Sequence, residues 1–177
     1  FFLQSPHFLS DLKYYDEILK LVGDSADLYP DIDFLVREHP EYRMEKQELR
    51  KLDTYSNVRI VSNWDLKEVF NLTLVVVSHF SSVLMEGVVH GCIPLVYDPT
   101  TCSRYCPDVE KEGLGRIAKT EEDFQLCLKE ILEEQEECSG ERLCSYLRRM
   151  EEQRQQWFAA TDGKTIERMV NFIRYKS

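Results

Sequence analysis

Short apolar runs and amphipathic stretches alternate along most of this 177-residue chain. The apolar runs predict β-strands at residues 1–4, 31–38, 57–62, 72–78, 93–97 and 115–118. Helical spacing of apolar positions predicts helices between them, at residues 11–22, 41–52, 64–71 and 81–90. Three more helices are expected at residues 120–134, 141–158 and 164–175, the first of which opens with capping-box spacing from Thr120 to Asp123.

This alternation predicts an α/β fold. We expect a doubly wound, mostly parallel, Rossmann-like sheet of about six strands, followed by C-terminal helices. The run LTLVVVS at residues 72–78 is apolar throughout, which suits a strand covered on both faces. A chain of this length supports one hydrophobic core, so we expect a single domain over residues 1–177. Ligands of such sheets bind outside the carboxyl ends of the strands.

Composition and charge exclude several classes of protein. A hydrophobic content of 43% argues against wholesale disorder, and a net charge of -10 argues against a general nucleic-acid binder. No apolar run approaches the ~20 residues that span a bilayer. The six cysteines include no CxxC pair, which argues against a zinc site and favours reduced thiols in the cytoplasm.

The second and fourth predicted strands end in polar residues that could contact a ligand. His39 precedes Pro40, which disfavours a helical conformation at His39 and holds it extended at the edge of the sheet. Its imidazole could donate to a phosphate or sugar oxygen, or could simply be a surface histidine. Ser81 and Ser82 follow the fourth strand and begin a helix, whose N-terminal N–H groups suit an anion. The alternative is that these serines only cap the helix.

Glu86 and two later cations complete the candidate site. Glu86 lies four residues after Ser82 and four before His90, so a helix would place the three on one face. A carboxylate in this otherwise apolar helix could accept from the two hydroxyls of a ribose, or could face solvent. Arg104 follows the fifth strand, where it could approach the Ser81–Ser82 turn. Lys164 begins the last predicted helix, and its basic face could hold an anion or be merely solvated.

Four segments carry a resemblance to a known group of enzymes. They are REHP at residues 37–40, SHFSS at 78–82, EGVVHGCIP at 86–94, and DGK at 162–164 followed by Arg168. In this order they resemble the C-terminal, nucleotide-binding half of GT-B-fold glycosyltransferases. The most similar are bacterial enzymes of capsule and surface-polysaccharide assembly: sialyl- and polysialyltransferases, Kdo transferases and CDP-glycerol glycerophosphotransferases. Two positions depart from the pattern. Gly87 follows the glutamate where the pattern has Ala, and His90 stands where small residues are usual.

The resemblance implies specific roles for these residues. His39, Ser81 and Ser82 would bind the nucleotide phosphates, and Glu86 would hold the ribose. The donor would be a nucleotide sugar, and transfer would need neither a metal nor another cofactor. The glycan or lipid-linked acceptor, and the catalytic base, would lie on a missing N-terminal Rossmann-like domain, in keeping with a chain that starts at Phe1. That part could also associate peripherally with the inner face of the membrane.

Two other functions remain open. Non-hydrolysing nucleotide-sugar 2-epimerases share the fold and a histidine before proline, but they carry a glycine-rich D-S-G-G turn where this chain has residues 78–82. A domain that kept the fold without catalysis would bind a partner instead. The sequence favours the donor-binding domain of a glycosyltransferase in polysaccharide or glycan biosynthesis, which we expect to be inactive on its own.

Overall fold

The computed structural model describes residues 2–4, 15–38, 46–79, 81–99 and 108–136, together with the single positions 152, 164 and 167. Within them the strands are β1 (Phe2–Gln4), β2 (Phe34–Arg37), β3 (Val58–Ile60), β4 (Val75–Ser78), β5 (Ile93–Tyr97) and β6 (Arg116–Ala118). The helices are α1 (Tyr15–Leu28), α2 (Lys46–Leu52), α3 (Leu66–Asn71), α4 (Ser82–Val89) and α5 (Glu121–Glu136). The helices predicted after residue 140 fall outside the described ranges, apart from those single positions.

The strands form one sheet in the order β3-β2-β1-β4-β5-β6. Every pairing between neighbours is parallel. This is the strand order of the Rossmann fold, and the winding direction reverses between β1 and β4. The prediction of an α/β fold with a parallel, Rossmann-like sheet is therefore confirmed.

Helices cover both faces of the sheet, and each face has its own hydrophobic core. Alternate residues of one strand go to opposite cores: Phe34 and Val36 of β2 lie in the first, and Leu35 lies in the second. The first core lies under α1, α2 and α5, and includes Ile18, Leu21, Val22, Leu52, Phe124, Leu128 and Ile131. The second lies under α3 and α4, and includes Val69, Phe70, Val83, Leu84 and Val88.

The burial of each strand matches its position in the sheet. All residues of β4 and β5 are buried, because helices cover them on both faces and strands flank them on both sides. The edge strands β3 and β6 are only partly buried. The continuous apolar runs of the sequence therefore predicted interior strands correctly.

Helix α1 is longer than predicted and continues through Gly23 to Leu28. Gly23 does not end the helix; a Cβ there would lie 2.6 Å from the hydroxyl oxygen of Tyr55, so a larger residue would require the Tyr55 ring to shift. The end of α1 is held by Asn57, whose Nδ2 donates to the carbonyls of Ala26, Tyr29 and Ile32 at 3.0–3.1 Å. Ala26 lies in the last turn of α1, where carbonyls lack helical partners, and Tyr29 and Ile32 follow the helix.

Two other boundaries test the sequence analysis. The fourth strand was expected to start at Leu72, but Leu72 is the C-terminal cap of α3 and its side chain is 69% exposed. The predicted cap of α5 is present, because the Thr120 hydroxyl accepts from the Asp123 N–H at 3.1 Å. The Asp123 carboxylate returns to the N–H of Lys119 at 3.4 Å, one residue before the position that a capping box would use.

Candidate functional site

The candidate site lies at the carboxyl edge of the sheet, where β1 and β4 are neighbours. In doubly wound sheets this reversal of winding opens the crevice in which ligands bind. Strand β4 ends at Ser78, and α4 begins only four residues later at Ser82. The short connection places the N-terminus of α4 at this crevice.

The first turn of α4 is capped by Ser81 and carries no acidic side chain. Ser81 has extended backbone angles of φ -153° and ψ 145°, and its hydroxyl accepts from the N–H of Val83 at 3.3 Å. Ser81 is therefore the N-cap, and Ser82 is the first helical residue. No acidic residue occupies the first turn, so the positive end of the helix dipole is not neutralised there.

Glu86 contacts Ser82 along the exposed face of α4. The Ser82 hydroxyl donates to Glu86 Oε1 at 3.1 Å, which confirms that the two side chains share a helix face. Both residues are exposed, so the carboxylate is not forced into the apolar core. If the phosphate of a ligand bound at the N-terminus of α4, the groups attached to that phosphate would lie within reach of this carboxylate.

His90 does not extend that face. Helix α4 ends at Val89, and His90 is its C-terminal cap. The His90 ring stacks on Phe70 with ring centroids 5.2 Å apart and an interplanar angle of 24°. The His90 N–H still bonds to the Glu86 carbonyl at 3.3 Å, so its backbone completes the turn after Glu86, while its ring contacts α3.

A buried hydrogen bond joins the residues that follow β4 and β5. His79 Nε2 lies 3.0 Å from Asp98 Oδ1, and the two side chains are 11% and 4% exposed. The sequence analysis quoted His79 within the segment at residues 78–82, and it selected neither His79 nor Asp98 as a site residue. The signal was present, since each follows directly after one of two interior strands that we expected to be parallel.

A second polar contact joins the ends of β2 and β3. The Ser62 hydroxyl donates to Glu38 Oε2 at 3.0 Å, and the Glu38 N–H donates back to the same hydroxyl oxygen at 3.1 Å. This contact fixes the backbone immediately before His39. Carboxyl ends of neighbouring strands are thus linked in pairs on each side of the crevice.

The structure does not test the other candidate residues, His39, Arg104 and Lys164. His39 and Arg104 lie outside the described residues, so their roles stay predictions. Lys164 is described and exposed, and its position relative to α4 is equally untested. Among the described residues, no group of three or more histidine, cysteine or acidic side chains could hold a metal ion. No helix in the same part of the chain is long and apolar enough to cross a membrane.

Two thiols of the described residues are free, and burial keeps both protonated. Cys92 follows α4 and is fully buried, and it donates to the carbonyls of Phe70 and Thr73 at 3.5 and 3.3 Å. Burial raises the pKa of the Cys92 thiol to about 11. Burial also raises the pKa of the Cys127 thiol on α5. Since the thiolate is the nucleophile, neither cysteine is suited to nucleophilic catalysis.

Comparison with protein families gives one match over most of the chain. The model of the family described as CDP-glycerol:poly(glycerophosphate) glycerophosphotransferase matches residues 24–175. These residues include β2 to β6 and the whole of α4. Comparison with curated proteins found no match.

Solved structures show the same fold at low sequence identity. The glycotransferase of kitacinnamycin superposes with a TM-score of 0.63 at 16% identity, covering 98% of this chain and 42% of that one. A putative UDP-N-acetylglucosamine 2-epimerase from Listeria monocytogenes gives 0.58 at 14% identity, covering 84% and 38%. The glycosyltransferase SnogD from Streptomyces nogalater gives 0.56 at 14% identity, covering 86% and 38%. The chain thus spans about two fifths of the length of each structure.

Proposed function

Because this chain belongs to the CDP-glycerol:poly(glycerophosphate) glycerophosphotransferase family, we propose that it is the donor-binding domain of a transferase that uses a nucleotide-activated donor. The family name suggests a cytidine diphosphate donor. The main support is the placement of the α4 N-terminus at the crevice between β1 and β4. Its first turn carries two hydroxyls and no acidic residue, a combination suited to phosphate.

In this proposal the nucleotide lies along α4 with its phosphates at the N-terminus. The Ser82 N–H and the hydroxyls of Ser81 and Ser82 donate to phosphate oxygens, and the Val83 N–H, which the Ser81 hydroxyl now caps at 3.3 Å, joins them when that hydroxyl turns to the ligand. Glu86 lies one helical turn further along and accepts from the ribose hydroxyls. The Ser82 hydroxyl, now bonded to Glu86 at 3.1 Å, would turn towards the phosphate when the carboxylate takes the ribose.

The same groups would assist transfer. In the transfer, an acceptor hydroxyl bonds to the donated group and gives its proton to the base, while the bond from that group to the nucleotide phosphate breaks and negative charge grows on the phosphate of the departing nucleotide. Donors and a helix dipole already aimed at that charge stabilise it without reorganisation. We propose that no metal is required, with His39, Arg104 and Lys164 as further phosphate ligands. A cytoplasmic location stays part of the proposal, since the free thiols of Cys92 and Cys127 suit a reducing compartment.

The acceptor and the catalytic base remain outside this assignment. The chain spans 38–42% of the solved structures that it resembles, so we propose that transfer to a glycan or lipid-linked acceptor needs residues beyond these 177. The epimerase fold likeness does not favour an epimerase, because one fold carries many chemistries. The family match favours a transferase.

The test is nucleotide binding by the 177-residue chain. Calorimetric titration with CDP, CMP, UDP and GDP should give tightest binding with CDP, and CDP at 100 times its dissociation constant should stabilise folding by about 2.7 kcal/mol. If no nucleotide binds or shifts the melting temperature, the proposal fails.

A comparison of ribose and deoxyribose nucleotides tests the placement of Glu86. Glu86→Leu should weaken CDP binding about tenfold or more, because ribose hydroxyls lose their acceptor, whereas Glu86→Gln should be mild. Deoxy-CDP should bind wild type more weakly than CDP and lose little more in Glu86→Leu. Glu133→Leu is the control, since Glu133 is an exposed glutamate of α5 on the opposite face of the sheet. Equal binding of CDP and deoxy-CDP to wild type would show that Glu86 does not hold the ribose.

A further inference from the structure

Arg37, the last residue of β2, is partly buried and lies at the carboxyl edge of the sheet. The Nε of its guanidinium is buried and has no hydrogen-bond partner among the described residues. Within the residues that the structure describes, no ion pair involves Arg37 either. A buried donor on a permanent cation destabilises the fold unless an acceptor reaches it. Such a group, at the edge where ligands bind, points to a function that requires it.

The strand register puts Arg37 level with the start of the site. Arg37 pairs with Gln4 of β1, and the preceding Leu3 pairs with Val77 of β4. Arg37 is therefore level with Ser78, the residue at which β4 ends. Neighbouring strands are about 4.8 Å apart, so β2 and β4 are separated by about 10 Å across β1. A diphosphate seated in the crevice and an extended arginine side chain together span that distance.

Arg37 also lies on the face of the sheet that α4 covers. Leu35, two residues earlier on β2, packs in the second core with Val83 and Leu84 of α4. Side chains two residues apart on a strand point to the same face. The stem of Arg37 therefore leaves the sheet on the side of α4, close to the level at which the helix begins.

We propose that the guanidinium of Arg37 binds the phosphate groups of the donor nucleotide, opposite the N-terminus of α4. This inference rests on the proposed function and adds a charged ligand on the other side of β1. A guanidinium presents donors in a planar fork that matches phosphate oxygens. The phosphate would supply the acceptor that Nε lacks, while the α4 N–H groups hold the same anion from the other side.

The experiment titrates CDP and inorganic pyrophosphate into wild type, Arg37→Gln and Arg59→Gln. Arg59 is the matched control: it lies on the neighbouring strand β3, is exposed, and pairs with Asp33 at 3.2 Å. Its removal changes the net charge equally. Arg37→Gln should weaken binding of both ligands about 10- to 100-fold, and Arg59→Gln less than about twofold. Arg37→Lys keeps the positive charge but lacks Nε, so its affinity should lie between those of wild type and Arg37→Gln. It replaces Arg37→Gln in the experiment if that variant does not fold.

Urea unfolding of the ligand-free variants separates binding from a structural role. Arg37→Gln should be at least as stable as Arg59→Gln, because it removes an unsatisfied buried donor. A less stable Arg37→Gln that binds CDP as tightly as Arg59→Gln would overturn the inference and leave the proposed function standing. If pyrophosphate binding depends on Arg37 and CDP binds no more tightly than pyrophosphate, the anion site is supported and the nucleotide assignment is contradicted. Failure of wild type to bind either ligand would overturn both.

Discussion

His79 and Asp98 form a buried pair that ties the carboxyl end of β4 to that of β5, with His79 Nε2 3.0 Å from Asp98 Oδ1. An ionised aspartate only accepts hydrogen bonds, so Nε2 carries the proton when Asp98 is charged. Both side chains are almost removed from solvent, which makes the contact costly to break. The pair fixes the chain three residues before α4 begins, and thereby positions the N-terminus of that helix.

We expect Asp98→Ala to destabilise the protein by about 1–3 kcal/mol, because it leaves a buried imidazole without this acceptor. His79→Ala should cost a similar amount. Denaturant unfolding of the single and double variants should give a coupling energy of at least about 0.5 kcal/mol. Additive effects would show that the contact does not contribute to stability.

Replacing Ser81 and Ser82 by alanine should weaken nucleotide binding without abolishing it. The backbone N–H groups and the helix dipole remain when the hydroxyls are removed. We expect about a tenfold loss of CDP affinity for each hydroxyl at most. Only Ser81→Ala should also lower the unfolding free energy, by about 1 kcal/mol, because Ser81 is the N-cap. Complete loss of binding in a folded double variant would mean that the hydroxyls, and not the helix end, hold the ligand.

Gly87 allows α4 to pack directly on β4. A Cβ at this position would lie 2.7 Å from Val76 Cγ1, in a part of the core where Val76 is fully buried. Gly87→Ala should therefore destabilise the fold by about 1–3 kcal/mol, despite the better helix propensity of alanine. In a Val76→Ala background the same change should cost less or become favourable.

Gly91→Ala is the control for the comparison of Gly87→Ala with and without Val76→Ala. Gly91 has a φ of 86°, and a Cβ there would meet no atom within 4 Å. The expected loss of about 1–2 kcal/mol comes from backbone strain, so Val76→Ala should not relieve it. Equal relief of both glycine variants by Val76→Ala would contradict the packing explanation for Gly87.

The raised pKa of Cys92 predicts a loss of stability at alkaline pH. Burial raises this pKa from 9.0 to about 11, so the unfolded chain releases the thiol proton first as the pH rises. The contribution of the thiol is complete below pH 9 and is lost as the pH approaches 11. It amounts to at most about 2.7 kcal/mol. Urea unfolding of wild type should therefore depend more steeply on pH in this range than Cys92→Ser, whose hydroxyl does not titrate. Parallel pH profiles would contradict the prediction.

Local sequence pattern determined the elements and the position of the candidate residues on α4. Apolar runs such as residues 93–97 gave the interior strands, and Thr120 marked the start of α5, because both signals depend on neighbours in the chain. Ser81, Ser82 and Glu86 were found in the same way, since a helix fixes which residues share a face. The order of motifs placed them at the carboxyl edge of a parallel sheet.

Only the tertiary structure decided which side chains meet across the strands. The pairing of His79 with Asp98, the Asn57 contacts that end α1, and the fit of Gly87 against Val76 all join segments separated in sequence by 11 to 31 residues. No periodicity encodes such contacts, because they depend on strand order, register and the layer in which each helix packs. For the same reason the sequence did not indicate Arg37 as a ligand. Its position level with the end of β4 follows from the register of β1 between β2 and β4, and the burial of its Nε follows from tertiary packing.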